Sequence, residues 1–193
     1  ERDCSAQRQN QKIVEVAPSP NIPNSTRTAL LQASVKMASH ASYRGVGTFE
    51  FLVNADQPDE FFFIEANARL QVEHTVTEAI TGLDLVALQL QIAAGKTLDD
   101  LGLNEPPATK GYAIQCRINM ETPGKKGMFK PTGGTINIFE PPSGPGIRVD
   151  TFGYAGYKTS TRYDSLLAKL IVHSRSDDFS VCAEKTVRAL RQF

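Results

Sequence analysis

From Phe63 to Glu73 the chain reads FIEANARLQVE, so that Glu65, Asn67, Arg69, Gln71 and Glu73 alternate with Ile64, Ala66, Ala68, Leu70 and Val72. Successive side chains of an extended strand point to opposite faces, and this spacing predicts one strand with the polar groups on one face and the apolar set packed behind. Alternating strands are ordinarily half-buried with a solvated polar face, for which Thr, Lys and Ser would serve. This face carries two carboxylates, two amides and a guanidinium. Such groups suit a cation and an anion held side by side.

Upstream, GVGTFEFLV places Glu50 between Phe49 and Phe51, and the loop NADQPDE separates that run from FFFIEAN. Two extended runs about a loop of Asn, Asp and Pro predict an antiparallel hairpin. Pairing about the loop sets Glu50 opposite the Ile64–Glu65 region, so Glu50, Glu65 and Asn67 converge on one hard cation. Oxygen donors favour Mg2+ or Mn2+ over zinc.

The chain has 193 residues, enough for one large domain or two small ones. Lys plus Arg (21) balance Asp plus Glu (21), which leaves no bulk field to attract nucleic acid or an anionic membrane. Cys4, Cys116 and Cys182 are far apart, in no CxxC or Cys/His pattern, and point to buried thiols in a reducing compartment. No apolar run approaches the ~20 residues that span a bilayer. The chain opens on Glu1 in a stretch that reads like the inside of a domain, so a fragment is expected.

Residues 1–17 alternate into a strand ending in IVEVA, and the Pro-rich break PSPNIPNS follows. Ser25 is a candidate cap for a helix with Leu30, Ala33, Met37 and Ala41 on its apolar face. After His74, TVTEAITG leads into a second helix with Asp84 as N-cap, Leu85, Leu88 and Ile92 as a buried stripe, and Gly95 as its stop. NEPPATKG is the linker, beyond which YAIQCRINM, GTINIFE and GIRVDTF read as short strands of a mostly antiparallel β domain. A last helix starts at Asp177 or Asp178, with Phe179, Cys182, Ala183, Thr186, Ala189, Leu190 and Phe193 on one face that Phe193 leaves unfinished. The Gly-rich loops fit neither a P-loop nor a dinucleotide fingerprint and read as turns. His40 and His74, the latter on the apolar side of the key strand, read as structural.

The motifs ERDCSAQRQNQK, GVGTFEFL, FIEANARLQVEHTVTEAITGLDLV, QCRIN and RYDSLLAKLI occur in this order. Together they resemble the biotin carboxylase family, whose ATP-binding domain has the ATP-grasp fold. The resemblance runs from Glu1 to about Phe193 and implies an α+β chain. Residues 1–107 would be the second half of an ATP-grasp domain, an antiparallel sheet with helices; residues 108–193 would be a mainly antiparallel β biotin carboxylase C-terminal domain, truncated. In the family the Gly-rich loop over the phosphates, the lysines that grip ATP and the N-terminal domain all precede Glu1. The chain is thus expected to hold half an active site.

Carried over residue by residue, the resemblance makes Glu50, Glu65 and Asn67 metal ligands that bridge the ATP phosphates. Arg69 and Lys12 would hold bicarbonate, with Gln71 and the Val72 backbone beside it, and Glu73 would be the general base. Gln7 and Asn10 match positions near the ribose, while Leu52 and Ile64 match apolar contacts to adenine. Arg117 matches the arginine that stabilises the enolate form of biotin. The cofactors implied are ATP, Mg2+ or Mn2+, and biotin on a carrier domain elsewhere.

Bicarbonate is a poor nucleophile until a base takes its proton, and Arg69, Lys12 and Arg117 would keep Glu73 ionised for that task. In the family picture bicarbonate attacks the γ-phosphate to give carboxyphosphate and ADP, and carboxyphosphate releases CO2 for biotin. The resemblance further implies a biotinyl carrier domain, a carboxyltransferase domain or subunit, and a homo-oligomer, with Arg148 and Asp164 near a subunit interface. It places the enzyme in the cytoplasm, or in the mitochondrial matrix of a eukaryote, with neither nucleic acid nor membrane as partner.

Asn10 stands where many relatives have His, and Ala66-Asn-Ala-Arg where some have Met-Asn-Thr-Arg. The spellings NARLQVEHTVTE and PTGGTINIFEPPSGPGIRVD lie closer to large multi-domain acyl-CoA or pyruvate carboxylases than to stand-alone bacterial subunits. Two alternatives stand beside this reading: a non-catalytic binding or assembly remnant, and an ATP-grasp ligase that makes carbamoyl phosphate.

Overall fold

The computed structural model describes residues 1–125 and 128–193, which divide by contacts into two compact units. Glu1–Arg2 and Ala17–Lys110 form the first; Asp3–Val16 and Gly111–Phe193 form the second.

The first unit holds α1 (Asn24–His40), β3 (Thr48–Val53), β4 (Phe61–Asn67), α2 (His74–Thr81) and α3 (Leu85–Ala93). As the alternation predicts, β3 and β4 are antiparallel with Glu50 directly opposite Glu65. The next pair is Phe51 with Phe63, so the register shifts at Ile64 and the strand bulges there. Directly opposed residues share a face. One face therefore runs from Leu52 and Phe62, each 63% exposed, through Glu50 and Glu65 to Thr48 and Asn67. Behind it the Phe51 ring stacks edge-on against Phe61 and Phe63, with centroids 5.7 Å and 6.0 Å away.

The single strand expected over Phe63–Glu73 is corrected: β4 stops at Asn67, opposite Thr48, the first residue of β3. Beyond that pair no β3 residue remains to take up the backbone groups, and the Gln71 carbonyl instead accepts from His74 N at 3.2 Å as α2 begins. His74 likewise opens that helix rather than lying on a strand, with Nδ1 2.6 Å from the same carbonyl. Around Asn24 the helix starts two residues earlier than a Ser25 cap would set it: Pro23 is the cap residue and Ser25 lies inside the first turn. Asp84 does cap α3, accepting from Ala87 N at 2.8 Å, and Gly95 follows the helix at φ +99°. Leu85, Leu88 and Ile92 are half-buried, not the buried stripe expected.

The second unit is built on a five-stranded sheet in the order β1 (Asp3–Arg8), β2 (Gln11–Ala17), β5 (Tyr112–Asn119), β9 (Leu166–Ser174), β8 (Ile147–Thr151). Residues 1–17 are not one strand: β1 and β2 form a hairpin turned at Gln9 (φ 51°) and Asn10 (φ 62°), the left-handed pair of a tight two-residue turn. Ile114, Cys116, Leu170 and Val172 face α4 (Phe179–Leu190) and pack with Cys182 and Ala189. Asp178 caps that helix by accepting from Ser180 N at 2.9 Å. Phe193 closes on Phe139, with ring centroids 5.9 Å apart.

The period of two sends Glu15, Gln115, Arg117, Lys169, Arg148 and Asp150 to the other face. GTINIFE is not a strand and makes one bridge, Thr135 with Lys158; Pro141 and Pro142 follow it and offer no N–H to a ladder. A short hairpin, β6 (Glu121–Pro123) with β7 (Phe129–Pro131), completes the unit. Among the described residues no single helix is long and apolar enough to cross a membrane.

Candidate active site

In the first unit the hairpin register sets Glu50 and Glu65 side by side, and Asn67, two residues along the same face, bridges them. Its Nδ2 donates to Glu65 Oε1 at 2.8 Å and to Glu50 Oε1 at 3.2 Å. Arg69 leaves the strand but turns back, its Nη2 donating to Asn67 Oδ1 at 3.3 Å. Gln71 is buried and its Nε2 donates to Glu50 Oε1 at 2.7 Å. The structure thus joins Glu50, Glu65, Asn67, Arg69 and Gln71 in one hydrogen-bonded cluster even though only Glu65 and Asn67 share a strand and Arg69 and Gln71 lie on none.

Arg2 completes this cluster, and nothing in the sequence pattern marks it. Its Nη2 donates to Gln71 Oε1 at 2.6 Å and to Thr48 Oγ1 at 3.1 Å, while Nη1 donates to Thr77 Oγ1 at 3.0 Å. Gln71 Oε1 is thereby engaged, which fixes its Nε2 toward Glu50. Val72 is 37% exposed, and Glu73 beside it is only 2% exposed, at the N-terminus of α2. Leu52 and Ile64 are open to solvent, at 63% and 50%.

Among the described residues no three His, Cys, Asp or Glu side chains group as a metal site. The hairpin set is two carboxylates and an amide, all with hard oxygen donors, and it fits a Mg2+ or Mn2+ ion shared with phosphate oxygens. The Asn67 amide presents nitrogen to both carboxylates, so ligation through Oδ1 needs the amide to turn over. A cation would then take the place of the Nδ2 hydrogen-bond donors that face the two carboxylates now.

The other expected site residues, Gln7, Asn10, Lys12 and Arg117, belong to the second unit. Gln7 on β1 pairs with Lys12 on β2, and its Nε2 donates to the Cys4 carbonyl at 3.0 Å; Asn10 sits in the intervening turn. Arg117 on β5 reaches Glu15 on β2: Nε and Nη2 lie 2.7 Å and 2.6 Å from Glu15 Oε1. Gln115 Nε2 donates to Glu15 Oε2 at 2.9 Å, and both Glu15 and Gln115 are wholly buried. Burial, reinforced by the Glu15 charge, pushes the Cys116 thiol up to about 12. The hint for Glu15 was a charged residue inside the apolar strand IVEVA.

Comparison with known proteins shows the family. Residues 1–101 match the family model described as carbamoyl-phosphate synthase L chain, ATP binding domain, and residues 115–193 match the one described as biotin carboxylase C-terminal domain. The chain belongs to the biotin carboxylase family. Among its relatives, pyruvate carboxylase 1 of Caenorhabditis elegans is 49% identical over the whole chain, which spans 16% of that protein. Biotin carboxylase of a Nostoc species is 44% identical, again over the whole chain and 41% of that protein. The biotin carboxylase domain of Hydrogenobacter thermophilus 2-oxoglutarate carboxylase, solved with MgADP, ADP and bicarbonate, superposes at a TM-score of 0.87 with 43% identity. That match covers 98% of this chain and 40% of the solved one. The chain thus spans well under half of these family members.

Proposed function

We propose that this chain supplies part of the active site of a biotin carboxylase, which uses ATP and bicarbonate to carboxylate biotin within a larger biotin-dependent carboxylase. The observation that carries the reading is the oxygen cluster of Glu50, Glu65 and Asn67, placed beside an apolar stretch of the same hairpin face. An adenine needs the apolar end and a phosphate-bound cation needs the acidic end. Residues 1–107 and 108–193 would serve as the ATP-grasp half and the C-terminal domain.

Glu50, Glu65 and Asn67 would hold Mg2+ or Mn2+. Such an ion neutralises phosphate charge when bound. Arg69 and Lys12 would orient bicarbonate beside Gln71 and the Val72 N–H, and Glu73 would take its proton. Burial at 2% exposure suits Glu73 to that task, since a base shielded from water is held in one place by its surroundings. Gln7 and Asn10 would lie near the ribose, with Leu52 and Ile64 against adenine. Arg117 would carry the negative charge that develops on the biotin ureido oxygen. A carrier domain would bring the biotin, a carboxyltransferase would consume the product, and Arg148 and Asp164 would lie near a homo-oligomer interface. The match of residues 115–193 to the biotin carboxylase C-terminal domain favours biotin over carbamoyl phosphate as the outcome.

In the full-length carboxylase, ATP cleavage is expected to require both bicarbonate and Mg2+ or Mn2+. Glu73→Gln keeps the shape and loses the base, so kcat should fall on the order of 100-fold or more. Glu50→Gln with Glu65→Gln should abolish the metal response. Normal turnover in the Glu73 variant would move the base elsewhere, and an unchanged metal titration in the double variant would remove the cation assignment.

A further inference from the structure

Glu15 is a carboxylate with no exposure at all, held between β2 and β5 of the second unit. A buried ion pair seldom adds stability over apolar residues of like volume, because several kcal/mol of desolvation offset the attraction, roughly in balance. Both carboxylate oxygens of Glu15 are nevertheless engaged. Oε1 accepts from both Nε and Nη2 of Arg117, and Oε2 accepts from Gln115 Nε2. Gln115 prevents the carboxylate from rotating, and the fork of two donors on one oxygen fixes the edge of the guanidinium that turns inward. Arg117 itself remains 19% exposed, so its head group reaches accessible surface.

A second pair on the same sheet face sharpens the selection. Lys169 is the cross-strand neighbour of Arg117 and pairs with its own carboxylate, Asp150, at 3.2 Å. Asp150 is in turn held by Arg148 Nε at 2.7 Å. Burial works to raise the Asp150 pKa, but the Arg148 hydrogen bond and the Lys169 charge outweigh it and hold the carboxyl below its ordinary value. Asp150 is thus shared by Lys169 and Arg148, while Arg117 pairs with Glu15.

We propose that Glu15 is a positioning residue: clamped by Gln115, it holds the guanidinium of Arg117 in the orientation that receives the charge developing on biotin. This rests on the reading of Arg117 given above. Glu15 touches no substrate and acts only through Arg117.

The test uses the full-length carboxylase and measures carboxybiotin formed per ADP released, together with the melting temperature. Glu15→Gln is expected to lower that ratio on the order of 10-fold to 100-fold, the scale of a misplaced catalytic group. On an Arg117→Ala background the same substitution should lower it no further. An unchanged ratio in Glu15→Gln overturns the proposal, and so does an additional drop on the Arg117→Ala background, which would mark an effect through the fold. Should Glu15→Gln fail to fold, Glu15→Asp keeps the charge and withdraws it by one methylene. A lowered ratio at an unchanged melting temperature then supports positioning, and a wild-type ratio overturns it. If Arg117→Ala alone leaves the ratio intact, the reading of Arg117 fails, whatever Glu15 does.

Discussion

At the scale of single residues the cluster on the hairpin is a set of interlocked amides. Gln71 can donate to Glu50 only while its oxygen faces Arg2, because an amide that turned over would set oxygen against a carboxylate. Groups that orient ligands typically contribute about 10- to 100-fold to metal affinity. Arg2→Met in the full-length enzyme is therefore expected to weaken Mn2+ binding about 10-fold, with Arg2→Lys recovering part of the loss. Electron paramagnetic resonance with a non-hydrolysable ATP analogue reads this without turnover. A wild-type Mn2+ titration in Arg2→Met would show that Gln71 needs no such holder. Glu50, Glu65 and Asn67 were legible in the sequence because a period of two and one hairpin loop determine which residues meet. Arg2 was not, since its partners Thr48, Gln71 and Thr77 lie 46, 69 and 75 residues away and no local period links them.

At the scale of elements, local chemistry was legible where a side chain bonds its own turn. Asp84 and Asp178 cap their helices, and Gly95 ends one, because each acts within three residues. What failed depended on a distant partner: the run from Phe63 kept its alternation to Glu73, yet β3 ended opposite Asn67 and left the rest unpaired. GTINIFE failed likewise, alternating without a ladder to join. Burial in the sheet core has a consequence for Cys116 that can be measured. Its thiol, raised from 9.0 to about 12, stays protonated in the folded chain while the unfolded chain loses that proton above 9.0. Between those values the unfolded state binds fewer protons, so stability falls as pH rises, by up to about 1.4 kcal/mol per pH unit. Urea unfolding at about pH 8 and about pH 10 should show a smaller loss in Cys116→Ala than in the wild type. Equal losses would place the alkaline sensitivity in other groups.

At the scale of the whole chain, the proposed functions are shared between two units, with the cation cluster and base in one and Lys12 and Arg117 in the other. The length spans 41% of one biotin carboxylase relative and 16% of a pyruvate carboxylase. The hairpin face that would meet a nucleotide is open: Leu52 and Phe62 are each 63% exposed, and Ile64 at the bulge is 50% exposed. Contiguous apolar surface of this kind in a soluble chain marks an interaction site. Purified residues 1–193 should therefore bind an apolar dye and bind nucleotide weakly. Turnover needs more, because in-line attack on a phosphate demands that both reactants be fixed, and a misplacement of about 1 Å can cost about 100-fold. The Gly-rich loops of the sequence fit neither a P-loop nor a dinucleotide fingerprint that would fix the nucleotide. Residues 1–193 alone are thus expected to give no biotin-dependent ADP release, while the full-length carboxylase does. If the isolated chain releases ADP in a biotin-dependent manner, it holds ATP by groups other than those assigned, and the division of labour proposed between its two units is wrong.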